Sequence, residues 1–481
     1  MSALYRSRYY SVALIICVII TLQFSHAGLC AEKPARVELT ILHTNDIHGH
    51  LFPFDYDDMG NYLMDVGGAA RRATLIRQIK STAGNPVLVM DAGDVFQRGP
   101  LADQFGAPDF KVMNAIPYDV MTLGNNEFKG APGAQARQVL LDRIKDAKFP
   151  IVSANVYDRS SGKLLVDPYE IFDVGGIKVG IIGLLTARDQ KLPQTQWVRV
   201  DDPIATMKAI LPEVRAKADF IVALTHLGVA QDIELASVVG GIDVIIGGDS
   251  HTWLFRPIFV KSSEPVPGWA VGGTIICQDG EWGKSLGRLD LTLRPAEGHA
   301  YKPSSYSAKL IDVDSSIKPA NDITAIIDAA AKPYMVKIGN LTAPISEKDA
   351  PSWVAARMRT AAGAQVAVEP AENIENGLKS GNVTMLDIRA MFSFTNNVAK
   401  LTVSGKQLKS FILSYVDPGL SGAELRDGDL YVGGDKASPA QTYTLAVEDY
   451  YALHSASLAG TPVHSIGKST VDIVAMYLST R

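Results

Sequence analysis

The sequence predicts an α/β protein of more than one domain, and three observations carry that prediction. Short apolar runs alternate with amphipathic segments along most of the chain. Several of those runs end in polar residues of one chemical kind. The length, 481 residues, is enough for two or three separate cores.

In order along the chain, "VELTIL" puts Val37, Leu39 and Ile41 on one face, as a strand does. "NPVLVM" (Asn85 to Met90), "DFIVAL" (Asp219 to Leu224) and "IDVIIGG" (Ile242 to Gly248) are continuous apolar runs that read as buried strands. Between them, "GGAARRATLIRQIKS" predicts a helix with Ala69, Ala73, Ile76 and Ile79 inward, and Arg72, Arg77 and Lys80 on a solvated face. The α/β pattern runs to about Leu293. "RPAEGHAYKPSSYS", Arg294 to Ser307, is rich in Pro and Ser and reads as the edge of that domain. "NDITAIIDAAAKPYM" predicts a helix capped by Asn321 or Asp322. A second α/β unit begins near Ile338, with "SWVAARMRTAAG" as a helix and "AQVAVE", "AKLTVSG" and "QTYTLAVE" as strands. The expected division is a signal over 1–31, a first domain over 36–293, a linker with a helix over 294–337 and a second domain over 338–481.

Composition narrows the function. Charged residues make up 20% and the net charge is −5, with no basic run, so a nucleic acid polymer is not an expected partner. Arg6 and Arg8 precede the apolar stretch Val12 to Leu22. That stretch is shorter than the roughly 20 residues a membrane span needs. It reads as a secretory signal, cleaved after Ala27 or Ala31, and predicts an exported protein, periplasmic or extracellular, with no stable span after cleavage. The three cysteines, Cys17, Cys30 and Cys277, supply neither a disulfide framework nor a metal site. A bound metal must therefore use His, Asp and Asn.

Those residues stand where five apolar runs end. "VELTILHTNDIHGH" delivers Asp46 and His48, and "NPVLVMDAGDVFQRG" delivers Asp91 and Asp94. "DVMTLGNNEF" delivers Asn125, Asn126 and Glu127, "DFIVALTHLG" delivers His226, and "IDVIIGGDSHT" delivers Asp249 and His251. Sites in open α/β sheets form beyond the carboxyl ends of strands, so these residues are expected to converge in one crevice. Carboxylates, imidazoles and an amide oxygen together suit a pair of divalent ions. Two such ions about 3.5–4 Å apart can activate a water and stabilise both oxygens of a phosphoester displacement. Asp91 is expected to be structural rather than a ligand.

"ILHTNDIHGHL", "DAGDVFQRGPLAD", "TLGNNEF", "THLG" and "GGDSHT" resemble the five motifs of the secreted 5′-nucleotidase family of metallophosphoesterases. The resemblance continues through "ICQDGEWGKSLGRLDL" and, more weakly, to about residue 450. It implies a four-layer αββα catalytic domain, a linking helix and a smaller α/β C-terminal substrate domain. It implies two divalent ions, Mn²⁺, Mg²⁺ or Zn²⁺, one held by Asp46, His48 and His251, the other by Asn125, His226 and Asp249, with Asp94 bridging. The expected substrate is a small-molecule phosphoester such as a nucleotide.

Four departures bear on that expectation. Where the family reads GNHEFD, with a catalytic His/Asp pair, this chain has Asn126 and Lys129. Asn126 can donate a neutral hydrogen bond but cannot deliver a proton, and Lys129 can supply charge to phosphoryl oxygens if it turns inward rather than to solvent. Where the family reads GGHSH, Asp249 replaces a histidine; it can still ligate and would favour a harder ion, or leave the second position weak. Where the family has NGGGIR, this chain has Pro370 to Asn373, Ile374 and Glu375, an acid in place of the substrate-holding arginine. The base-stacking loop is replaced by "DYYALHSASLAG", with Tyr450 and Tyr451, while "FSFTNN" keeps an echo of a family turn. Two readings follow. One is a divergent hydrolase with altered chemistry, on a phosphoester or on a sulfur ester. The other is a ligand-binding protein that has kept its metals for structure.

Overall fold

The computed structural model describes residues 33–480, apart from 59–60, 132, 189–192, 263–272 and 297–298. The expected signal over 1–31, with Cys17 and Cys30, lies outside the described residues.

Two six-stranded sheets pack face to face. The first runs, edge to edge, His299–Asp312, Ser285–Ala296, Val37–Thr44, Val87–Asp91, Val120–Thr122 and Ile151–Val152. Its last four strands are parallel, and Val37–Thr44 pairs antiparallel with Ser285–Ala296. The second sheet runs Ile258–Lys261, Gly273–Cys277, Val244–Gly247, Phe220–His226, Ile177–Leu185 and Tyr169–Val174, with its four central strands parallel. Val37, Leu39 and Ile41 do share a face, and they meet Ile181, Val222, Leu224 and Ile246 of the other sheet in a dry core. Those alternating and continuous apolar runs are what a sheet buried on one or both faces requires.

Helices cover the outer faces. Ala69–Thr82, Ala107–Ala115 and Gln135–Asp146 lie on the first sheet, and Pro203–Arg215 and Val229–Val238 on the second. The result is the four-layer αββα arrangement. Because the central strands of each sheet are parallel, their carboxyl ends gather on one edge of the sandwich.

Three expectations are corrected. Arg72 is not on a solvated face; it is 2% exposed, sunk between the helix and the first sheet near Asp91 and Asp109. Its neighbours Arg77 and Lys80 are instead tied to Asp322 and Asp119. The helix Asn321–Ala331 begins at Asn321 with Ala320 as its cap residue and no side-chain cap bond, because the Asp322 carboxylate is engaged by Arg77. The edge expected near Leu293 falls inside a long hairpin: Ser285–Ala296 pairs with His299–Asp312, so the Pro- and Ser-rich segment is an edge strand of the first sheet. Pro is tolerated on such an edge, where no ladder bond is lost to a missing N–H.

The helix Asn321–Ala331 packs Ile323, Ile327 and Ala331 onto the first domain, then leads to a five-stranded sheet in the order Gly419–Ser421, Val366–Glu369, Thr442–Glu448, Asn397–Ser404 and His464–Ser469. That C-terminal domain touches the first through Arg389, which bonds Asp103 and the Pro100 carbonyl, and through His50 Nε2, 3.3 Å from Glu375 Oε2. The Arg98 guanidinium lies 5.0 Å over the Phe394 ring of the "FSFTNN" segment. Tyr451 is core, as its 7% exposure shows, whereas Tyr450 is exposed against His454.

Candidate metal centre

The strand ends bring together all seven expected ligands. Asp46, His48, Asp94, Asn125 and His226 are buried, Asp249 carries a side chain only 5% exposed, and His251 is half-buried.

The backbone that carries them is bent to do so. Asp46, His48, Asp94, Asp249 and His251 all have positive φ, between 50° and 78°. Such conformations are costly for residues with a Cβ and concentrate at functional sites. Loop-to-loop bonds hold them there: Asp46 N donates to Gly93 O, and His48 N to Asp94 O, each at 2.9 Å. Gly124 has no room for a side chain, since a Cβ there would stand 2.2 Å from Asp94 Oδ1. Asn125 can therefore come close to Asp94 only because glycine precedes it.

The donor atoms form two adjoining groups. In the first, His251 Nε2 lies 3.1 Å from His48 Nε2 and 3.4 Å from Asp46 Oδ1. In the second, His226 Nε2 lies 3.0 Å from Asn125 Oδ1, 3.3 Å from Asp94 Oδ2 and 3.7 Å from Asp249 Oδ1. Asp46 Oδ1 belongs to both groups, and Asp94 Oδ2 stands between His48 and His226, 3.8 Å and 3.3 Å from them. Ligands at about 2.1 Å around one divalent ion are roughly 3.0–3.4 Å apart, so the four shorter of these distances fit, while Asp249, at 3.7 Å, stands wide of His226. A second observation points the same way. Asp46 Oδ2 accepts from Asn45 Nδ2 and Asp249 N, but Oδ1 is fully buried with no hydrogen-bond partner. A buried carboxylate oxygen aimed into a cluster of imidazoles, its nearest ring nitrogen 3.4 Å away and outside hydrogen-bond geometry, is shaped for a cation.

Neighbours set the charge state. Burial opposes a charge on His226, but Asp94, Asp46 and Asp249 outweigh it and hold the ring well above its ordinary value. Burial and the Arg98 charge push His48 well below its own. Burial again opposes charge on His251, yet Asp46 and Glu281 raise it to about 10. Burial is also the largest influence on Asp94, but His226 and His48 reverse it and lower the carboxyl.

The two residues expected as the catalytic pair share one 3₁₀ turn, Asn126–Lys129. Asn126 donates from its backbone N to Asp94 Oδ1 and from Nδ2 to Asp94 Oδ2, both at 2.7 Å, and Nδ2 is 3.4 Å from His48 Nδ1. Its amide therefore orients the carboxylate between the two groups. Lys129 ends the same 3₁₀ turn, Asn126–Lys129, with a half-buried side chain. Asp91 is structural: it accepts from Thr44 and from Gly93 N.

Three supporting residues were given no ligand or catalytic role in the sequence. Glu127 accepts from the backbone N–H of Gly124, Asp94 and Val95, so one carboxylate ties the two loops that carry Asp94 and Asn125. Glu281 Oε2 is 2.5 Å from His251 Nδ1. Arg188 grips Asp249 with Nη2 to Oδ1 at 2.6 Å and Nη1 to Oδ2 at 3.1 Å. Glu127 stood in the third motif and was legible there; nothing in the local sequence marks the other two.

Comparison with known proteins agrees with this geometry. Residues 39–253 match the model of the calcineurin-like phosphoesterases, and residues 330–458 that of the 5′-nucleotidase C-terminal domain. A 5′-nucleotidase of Vibrio parahaemolyticus is 30% identical over 80% of this chain and 77% of its own. The chain belongs to the 5′-nucleotidase family of the calcineurin-like phosphoesterases. Among other members of that family, protein UshA of Yersinia enterocolitica is 28% identical over 88% of this chain and 86% of its own. The structure of a 5′-nucleotidase precursor from Thermus thermophilus superposes with a TM-score of 0.74 at 27% identity, over 92% of this chain and 96% of that one. Family membership makes this a hydrolase of the metallophosphoesterase type, and the order of its two domains is the family's.

Proposed function

We propose that this chain is an exported phosphoester hydrolase with a dinuclear divalent-metal centre, acting on a small phosphomonoester such as a nucleotide. The carrying observation is the pair of adjoining donor groups that share the unpartnered Asp46 Oδ1. Asp46, His48 and His251 would hold one ion, and His226, Asn125 and Asp249 the other, with the Asp94 carboxylate between them. Ions held there supply positive charge for phosphoryl oxygens and make a water nucleophile more acidic. The chain's own residues do the rest. Asn126 and Glu127 fix Asp94, Glu281 fixes His251, and Asn45 fixes Asp46. With no histidine at 126 to hand a proton to the leaving oxygen, the reading favours substrates whose leaving group departs readily.

Export rests on the N-terminal apolar stretch Val12 to Leu22; among the described residues no helix is long and apolar enough to cross a membrane. The test is an assay of mature protein with added Mn²⁺, Mg²⁺ or Zn²⁺ against phosphomonoesters, phosphodiesters and nucleotides. Metal-dependent turnover that disappears in Asp94→Asn supports the reading. Metal binding with no turnover on any of them overturns it.

A further inference from the structure

Asp249 places a third carboxylate in a site that already contains Asp46 and Asp94. Its Oδ1 lies 3.7 Å from His226 Nε2, and its backbone N donates to Asp46 Oδ2, so it is part of the second donor group and coupled to the first. A third negative charge beside the ions would repel the dianionic phosphoryl group that the site is proposed to receive. The fold supplies an answer from another strand. Ile177–Leu185 lies beside Phe220–His226 in the second sheet, and their carboxyl ends are tied by Thr186 N donating to His226 O. Arg188 follows immediately and reaches across to Asp249 with both terminal nitrogens. Its side chain is 57% exposed while that of Asp249 is 5% exposed. The guanidinium thus lies on the solvent side of the carboxylate.

We propose that Arg188 is a positioning and charge-compensating residue of the metal centre: its fork holds the Asp249 carboxylate against His226 and offsets its charge, so that an oxyanion of the phosphate class can bind. This rests on the hydrolase reading for the identity of the anion, and on the Arg188–Asp249 geometry alone for the role. A guanidinium is always charged and its planar fork matches a carboxylate in two parallel bonds. A lysine keeps the charge but not the fork. A glutamine loses the charge.

Orthophosphate is the probe. Its affinity is measured by calorimetry on Mn²⁺-loaded full chain for the parent, Arg188→Lys and Arg188→Gln, with bound Mn²⁺ counted in each. With Mn²⁺ kept saturating so that its content is the same in all three, the expected result is a loss of at least about tenfold in orthophosphate affinity in Arg188→Gln and a smaller loss in Arg188→Lys. An exposed position makes folding failure no obstacle, and the unfolding midpoint of each variant checks this. An Arg188→Gln affinity within about twofold of the parent overturns the proposal. So does an equal loss in both variants, or a parent that binds no orthophosphate. If the parent binds orthophosphate, loses it in Arg188→Gln, and turns over no substrate, the hydrolase reading fails while this one stands.

Discussion

The Nδ1 atom of His251 lies 2.5 Å from Oε2 of Glu281, a residue 30 positions away that reaches the site only because the chain turns back after the strand Gly273–Cys277. Tyr56 also points its hydroxyl at Glu281, and the next residue, Trp282, donates its backbone N–H to Asp46 O. The carboxylate thereby fixes the ring so that Nε2 faces His48 and Asp46. Such partners of a metal-bound imidazole commonly contribute about 10–100-fold to metal affinity. Glu281→Gln should weaken Mn²⁺ binding by about that factor, read by calorimetry on chelator-treated protein. An unchanged affinity would remove Glu281 from the centre.

Glu127 carries a larger structural load. Three buried N–H groups, of Gly124, Asp94 and Val95, depend on its two oxygens. Burial and the nearby Asp94 charge push the carboxyl up to about 8. Glu127→Ala strands those donors, each at about 1–3 kcal/mol. The expected outcome is a loss of at least about 3 kcal/mol in urea unfolding of the first domain, with metal binding lost as well. A loss below about 1 kcal/mol would show that water replaces the carboxylate.

Restoring the family's pair tests what the third motif has lost. Asn126→His with Lys129→Asp supplies an imidazole and a carboxylate beside the proposed centre. If proton delivery limits the parent, kcat on a phosphomonoester with a poor leaving group should rise by about 10²–10⁴-fold, and far less with a good leaving group. Equal effects on both would mean that Asn126, by holding Asp94, has a role the substitution destroys.

The C-terminal domain makes a pH prediction. Glu369 and Glu448 are both fully buried and share the Asn373 amide, whose Nδ2 lies 3.2 Å from one and 2.9 Å from the other. Burial, with the Glu448 charge, holds Glu369 well above its ordinary value. Burial is likewise the main cause that raises Glu448 to about 8, and Asp449 adds to it. A carboxyl raised in the folded state keeps its proton where the unfolded chain has lost it. Its stabilising effect is complete below the ordinary value of 4.5 and is lost as pH rises to about 8. Raised carboxyls at Asp91, Asp109 and Asp279 in the first domain act in the same direction, so the difference between proteins is the readout. Glu448→Gln should flatten the fall in C-terminal stability between about pH 5 and 8, by an amount on the order of 2 kcal/mol. Parallel pH profiles for parent and variant would show that Glu448 titrates normally.

The sequence by itself determined most of the strands and helices, their apolar faces, and the strand ends at which Asp, His and Asn residues gather; which seven of those are the expected ligands came from the family resemblance. It could do so because strand periodicity is local, and because ligands at the ends of successive parallel strands converge whatever the loops do. It misjudged Arg72, since a basic residue inside an amphipathic pattern is solvated unless a buried acid stands opposite, and Asp91 and Asp109 come from other elements. It misjudged the Pro- and Ser-rich segment 294–307, whose strand character comes from the pairing offered by Ser285–Ala296. Only the tertiary structure decided that Asn126 grips Asp94, that Glu281 orients His251 and that Arg188 faces Asp249. Each of those contacts joins residues 30 to 61 positions apart, and its strength depends on burial and angle, which no local pattern records.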